Sequence, residues 1–336
     1  MKEKINGILQ NRKAQMAAIV LILAVLLLLP FTPINRYMLH VVVLCFLYTC
    51  LTLSLNLIIG WSGQFSLGHV TFYGMGAYIT TLLMMNKGIN FFIATFISVI
   101  VVAVVSMILC LPTLNLRGDY IAVVTLGFGE VFRLFVTNAV DITRGPMGLP
   151  GIPSPTIFGI TLYGTQTYYF MALVLMILFI VFMARLNNSG FGLAMLTVKE
   201  DDIAALSLGI NPVKYKMWAF VIGGGMAALM GSFYAVYLGT IAPSSFVYME
   251  SIKMVSMVVL GGMGSVPGSV IGAFLLTALP EALRSFSDYR MILYGAAMVI
   301  MMIFRPNGIW GIDKRLKNEY RIKAMRGVKH GESSAS

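Results

Sequence analysis

Phe91-Phe92-Ile93-Ala94-Thr95-Phe96-Ile97-Ser98-Val99-Ile100-Val101-Val102-Ala103-Val104-Val105-Ser106-Met107-Ile108-Leu109-Cys110-Leu111 is a run of 21 residues without a single charge. As a helix it rises about 30 Å, the thickness of a bilayer's hydrocarbon core. Working outward, further apolar runs lie at 16–34, 38–60, 70–85, 119–137, 167–185, 214–239, 252–263, 267–283 and 289–304. The whole chain of 336 residues is 58% hydrophobic and 11% charged, with a mean hydropathy of +0.86. Soluble domains carry about 25% charged residues, so a soluble fold is excluded. The reading is an all-α polytopic membrane protein of about ten transmembrane segments.

The net charge of +11 is placed at the ends. Residues 1–15 hold Lys2, Lys4, Arg12 and Lys13 against Glu3, and residues 305–336 hold eight basic residues against Asp313, Glu319 and Glu332. Such ends face the cytoplasm and lie near anionic lipid, which explains the charge without nucleic acid. Two cytoplasmic ends require an even number of crossings. The expected organisation is a cytoplasmic N-terminus at 1–15, a membrane domain at 16–304 and a cytoplasmic tail at 305–336. The first run continues as Pro30-Phe31-Thr32-Pro33 with no small-residue cleavage site, so it reads as an uncleaved anchor. Cys45, Cys50 and Cys110 sit inside apolar runs and read as small hydrophobes. His40, His69 and His330 have no ligand spacing, so no metal site is expected.

Three runs, 70–85, 252–263 and 267–283, are too short to cross as straight helices. They flank two glycine-rich stretches. The first is Gly60-Trp61-Ser62-Gly63-Gln64-Phe65-Ser66-Leu67-Gly68-His69 with Gly74 and Gly76. The second is Gly261-Gly262-Met263-Gly264-Ser265-Val266-Pro267-Gly268 with Gly272. Their matched positions suggest two pseudo-repeated halves. Glycine at this density either lets helices approach closely or breaks them along a transport route. On the second reading Ser62, Gln64 and Ser66 line the route, with Gly264 and Ser265 from the other half. His69 fits either a pathway hydrogen bond or a packing role.

Two loops stand out. Residues 138–166 are external by the count of crossings and are long enough to hold a small folded piece. Residues 186–213 are cytoplasmic by the same count. Within them 198–208 is predicted as a short helix, with acidic residues in its first turn and Gly209 as its stop. Ile203, Ala204, Leu206, Ser207 and Leu208 give it an apolar side that needs cover, from a partner protein or from the lipid headgroups. Three adjacent acids disfavour the lipid. Glu130 and Arg133 stand three apart within an apolar run, and Glu250 with Lys253 and Glu281 with Arg284 repeat the spacing. Such charges either line a path, Glu130 first among them, or neutralise each other as structural ties.

Lys199-Glu200-Asp201-Asp202-Ile203-Ala204-Ala205 with Gly209-Ile210-Asn211 is similar to the coupling loop of ATP-binding-cassette importer permeases. More narrowly, it resembles the LivM-type permeases of branched-chain amino acid importers. Asn56-Leu57-Ile58-Ile59-Gly60 with Gly63 through His69, Leu116-Arg117-Gly118-Asp119-Tyr120 with Thr125, Leu126 and Glu130, and Gly261-Gly262-Met263-Gly264-Ser265 resemble other signatures of that family. The likeness spans roughly 40–305. It departs at Leu193, where the family usually has Arg, and at Arg144-Gly145, where it often has Gly-Gly. The resemblance implies a path for leucine, isoleucine and valine formed with a second permease, two cytoplasmic ATPases, an external substrate-binding protein and a bacterial inner membrane. It implies that Lys199, Glu200, Asp201, Asp202, Ala204, Ala205 and Gly209 form the ATPase coupling segment. The chain has no Gly-Lys dipeptide and hence no phosphate-binding loop, so ATP belongs to the partners and the chain is no enzyme by itself. Related permeases for other amino acids, amides or urea, and a self-sufficient secondary transporter using Glu130, are the alternatives.

Overall fold

A computed structural model describes residues 24–31 and 35–282, apart from 115, 117, 158 and 159, together with 295, 299 and 308–310. The basic ends, the run 289–304 apart from two positions, and the partner of Glu281 at Arg284 lie outside the described residues.

Helix α1, Arg36–Asn56, opens on Asn35, whose side chain accepts the Tyr37 N–H at 3.3 Å. It continues into a wider π-turn, Leu57–Trp61, to give 26 helical residues. Then follow α2 His69–Lys87, α3 Phe91–Thr113, α4 Asp119–Asn138, α5 Thr165–Asn187, α6 Gly190–Glu200, α7 Asp202–Ser207, α8 Pro212–Leu238, α9 Tyr248–Gly261 and α10 Val266–Ala282. Five of these, α1 with its π-turn, α3, α4, α5 and α8, are long and apolar enough to cross a membrane. The all-α membrane architecture follows. The run 70–85 proves longer than its apolar length, since α2 has 19 residues and closes on Gly88 with φ 62°. Its polar ends, His69 and Asn86-Lys87, hide the extension from a hydropathy reading. Helices α9 and α10 are short, at 14 and 17 residues.

Helices α1 and α8 form the centre. Of their apolar stretches 83% and 78% are buried, against 28% for α3 and α4 and 33% for α5. Backbone proximity makes this possible. A Cβ at Gly231 of α8 would lie 1.9 Å from the Tyr73 carbonyl oxygen of α2, and one at Gly76 would lie 2.2 Å from that of Ala228. Without those atoms the helices close to contact, and Thr80 and Ser232 hydroxyls bond across the seam at 2.6 Å. Cys45, Cys50 and Cys110 are buried free thiols.

At one end of the bundle the segment 138–166 carries a helical turn, Val140–Thr143, and short strands. Leu149–Pro150 pairs antiparallel with Thr240–Ile241 after α8, and Thr156–Ile157 pairs with Ile160–Thr161. The Asn90 amide donates to the Thr156 carbonyl at 2.9 Å, which ties this segment to the start of α3. Arg144 has φ 58° and is the positive-φ residue other than glycine among the described residues. That left-handed backbone is the physical reason glycine suits this position. At the opposite end sit α6 and α7.

Candidate functional site: the joined glycine-rich breaks and the acidic segment

The two glycine-rich stretches meet. The Asn56 side chain, buried at the end of α1, accepts the Gly264 N–H at 2.8 Å and donates to the Ser265 carbonyl at 3.2 Å. Trp61 Nε1 donates to the Gly264 carbonyl at 3.0 Å. Gly60 has no room for a side chain, because a Cβ would fall 2.5 Å from the Gly264 nitrogen. Gly264 itself holds φ 89°. Two segments about 200 residues apart thus share one backbone-to-backbone junction. Ile309 and Trp310 donate their N–H groups to the Leu260 and Gly261 carbonyls there, at 2.8 and 3.1 Å.

Within the first break Ser62, Gln64, Ser66 and His69 are all buried. The Ser62 hydroxyl donates to the Ile58 carbonyl at 2.7 Å, satisfying a carbonyl near the end of the turn. Ser66 Oγ accepts the Gly68 N–H at 3.4 Å. The Ser54 hydroxyl donates to the Leu51 carbonyl at 2.8 Å and lies 2.7 Å from His69 Nε2. His69 Nδ1, Thr71 Oγ1 and Gln64 Nε2 are buried atoms with no hydrogen bond. Buried polar atoms left open in this way carry a cost of about 1–3 kcal/mol each unless something visits them. Ser265, in contrast, is satisfied locally: its Oγ accepts the Gly268 N–H at 3.2 Å.

Below the junction lies the acidic segment. The predicted helix over 198–208 is in fact two. Helix α6 ends at Glu200, Asp201 turns extended with φ −160°, and α7 begins. Asp201 Oδ1 accepts the N–H groups of Ile203 and Ala204 at 2.8 and 3.1 Å. A short aspartate that bonds its own backbone competes with helix continuation, which is why the helix breaks there. Gly209, with φ 78°, closes α7 as expected, and its N–H meets the Leu206 carbonyl at 2.9 Å. Asp202 pairs with Lys216 of α8 at 2.5 Å. Ala205 faces inward, while Glu200, Ala204, Ile203, Leu206 and Leu208 are exposed, as is Leu193 on α6. Lys199 points the other way, and its Nζ donates to the Gly60 carbonyl at 2.6 Å.

The charged pairs form where their spacing places them. Arg133 meets Glu130 at 2.8 Å on α4. Lys253 and Glu250 stand 3.8 Å apart, Tyr48 donates to Glu250 at 2.8 Å, and the Lys253 ammonium lies 3.9 Å from the Tyr48 ring centre. Glu130 lies on α4 next to Gly129, where an added Cβ would lie 3.1 Å from Thr71 Oγ1. Sequence reading missed Asn56, Trp61 and Ser54 as the groups that fasten the break. A lone amide closing an apolar run beside a glycine was the available signal for Asn56.

A family model described as the permease component of branched-chain amino acid transport systems matches residues 37–302. The chain belongs to this permease family. It is 34% identical over 324 residues to the high-affinity branched-chain amino acid transport system permease protein LivM of Escherichia coli strain K12, covering 90% of this chain and 75% of that one. The LivM protein of Salmonella typhimurium strain LT2 is 35% identical with the same coverage. A probable branched-chain amino acid transport permease protein LivM from Methanocaldococcus jannaschii is 26% identical over 239 residues, 61% of this chain and 68% of that one. No solved structure matches the chain. The resemblance carried by its motifs is thus a family membership, and the permease family accounts for the apolar multi-pass architecture.

Proposed function

We propose that the chain is one of two related permeases of an ATP-driven importer and forms half of the path for leucine, isoleucine and valine through a bacterial inner membrane. The observation that carries this reading is the direct contact between the acidic segment and the joined breaks. An apolar α7 face, made of Ile203, Leu206 and Leu208, stands exposed beside Lys199, which reaches the Gly60 carbonyl. Two cytoplasmic ATPases cover that face, with Glu200, Asp201, Asp202, Ala204, Ala205 and Gly209 shaping it. The segment 138–166 at the opposite end receives an external binding protein.

On this reading both termini are cytoplasmic and the chain crosses ten times in two related halves. The ends of three helices support it: α1 finishes at the Gly60–Gly264 junction, whereas the chain leaving α2 bonds Thr156 through Asn90 and the chain leaving α8 pairs with Leu149–Pro150. Ser62, Gln64, Ser66 and His69 line the route with Gly264 and Ser265, because Gln64 Nε2 and His69 Nδ1 of the first break are among the buried polar atoms left open. They hold a zwitterion weakly, and affinity resides in the binding protein. Glu130, tied to Arg133, serves structure.

Tagged chain drawn from native membranes brings a second permease and a P-loop ATPase with it. Ile203→Asp with Leu206→Asp then releases the ATPase. A chain that emerges alone sinks the reading and turns attention to Glu130 as an ion-coupling carboxylate.

A further inference from the structure

Lys199 stands in the acidic segment but does not share its outward face. It lies in the last turn of α6, half-buried, after the buried Val198 and before the exposed Glu200 and Asp201. Its stem runs along Gly63, where a Cβ would lie 3.2 Å from Lys199 Cγ and 3.7 Å from its Cα. Its ammonium bonds the Gly60 carbonyl, one of the last carbonyls of the α1 helix, which the helix itself leaves open. A cation at the negative end of a helix dipole, with a charge-assisted hydrogen bond, is about twice as strong as a neutral contact. Gly60 in turn abuts Gly264, and Asn56 bonds both Gly264 and Ser265. A continuous chain of contacts therefore runs from the exposed α7 face through Lys199 to both breaks.

We propose that Lys199 is a positioning residue that transmits movement of α6 and α7 to the junction of Gly60 and Gly264. It is not a docking contact for the partner. Helix α7 is too short and too exposed to move the bundle by itself. Its Asp201 cap and the α6 turn before it make one small unit, and the lysine is the polar link from that unit to α1. When a partner draws the unit outward, the Gly60 carbonyl follows, and the Asn56 bridge carries the shift to the second half. The inference rests on the importer reading above.

The test uses the complete complex, with both permeases, both ATPases and the binding protein, reconstituted in proteoliposomes. The readout is solute taken up per ATP hydrolysed, together with retention of the ATPase in the purified complex. Lys199→Met keeps the stem and removes the donor. It retains the ATPase and lowers uptake per ATP at least tenfold. Lys199→Arg keeps a cationic donor and restores the ratio to within threefold. An unchanged ratio in Lys199→Met overturns the inference. Loss of the ATPase from that variant, or failure of both it and Lys199→Gln to assemble, overturns it too, because Lys199 would then serve docking or assembly. If the unmodified complex takes up solute without ATP, the importer reading itself falls, an outcome distinct from a defect confined to the variants.

Discussion

The two glycine-rich stretches have similar composition and opposite uses. In the first, glycines face other elements. A Cβ at Gly60 would strike Gly264, one at Gly68 would lie 2.2 Å from the Thr125 carbonyl oxygen, and one at Gly76 would strike Ala228. In the second, Gly264 faces Gly60, but Gly261, Gly268 and Gly272 face the opposite arm of their own hairpin. A Cβ at Gly261 would lie 2.2 Å from the Gly268 oxygen, and one at Gly272 would lie 2.3 Å from the Met257 oxygen. The first stretch knits separate helices together, while the second closes α9 against α10 as a tight hairpin. The first also holds buried polar atoms without partners, at Gln64, His69 and Thr71, and among the described residues 261–272 there are none. Glycine content alone therefore does not mark a route. What separates the two is whether polar groups are left open beside the glycines.

The hairpin reading breaks most directly at Gly268. Gly268→Val places its Cβ 2.3 Å from the Gly261 carbonyl oxygen, a backbone atom that cannot swing aside. The expected cost is about 3 kcal/mol or more, seen as loss of the monodisperse species on size exclusion in detergent. A normal profile would mean that the second stretch is not a clasp. Asn56→Ala tests the junction between the two. It leaves the Gly264 N–H and the Ser265 carbonyl unpaired, for about 2–4 kcal/mol, and the thermal midpoint of the purified chain falls accordingly. A midpoint that does not move would show that the stretches stand independently.

The next effects are functional and smaller in stability. Gln64→Ala lowers the maximal uptake rate several-fold and leaves the half-saturating concentration of loaded binding protein unchanged. The opposite split, a weaker affinity at full rate, would place the first stretch at a tight binding site. Gly63→Ala sharpens the contrast with Gly268. The tightest contact would be the flexible Lys199 stem at 3.2 Å, with its Cα at an ordinary 3.7 Å, so the left-handed backbone dominates the cost at about 1–2 kcal/mol, read from the same thermal midpoint. The smallest effect belongs to Glu130→Gln on α4, outside both stretches. Uptake by the normally expressed variant stays near the unmodified level, and a collapse would move the route to the α4 surface.

Much of this was legible in the chain itself. The apolar runs at 91–111, 119–137, 167–185 and 214–239 locate α3, α4, α5 and α8 to within two residues, because hydropathy and helix length are local properties. The boundary between α6 and α7 was not legible. An aspartate inside an otherwise helical pattern either sits exposed in the helix or caps a new one, and φ at Asp201 decides. The candidate site was half legible. Gln64, Ser66 and Ser265 announce themselves as polar groups among glycines, but nothing in Asn56 or Lys199 says what each one reaches.

The sequence by itself determined the solvent, the class and the family: apolar runs fix a membrane protein, and motifs spread over most of its length fix the permease. Only the tertiary structure decided which glycines touch, which polar atoms remain open and which way Lys199 points. Those are relations between residues some 140 to 210 positions apart. They depend on how closely two backbones approach, and no local pattern of residues encodes that distance.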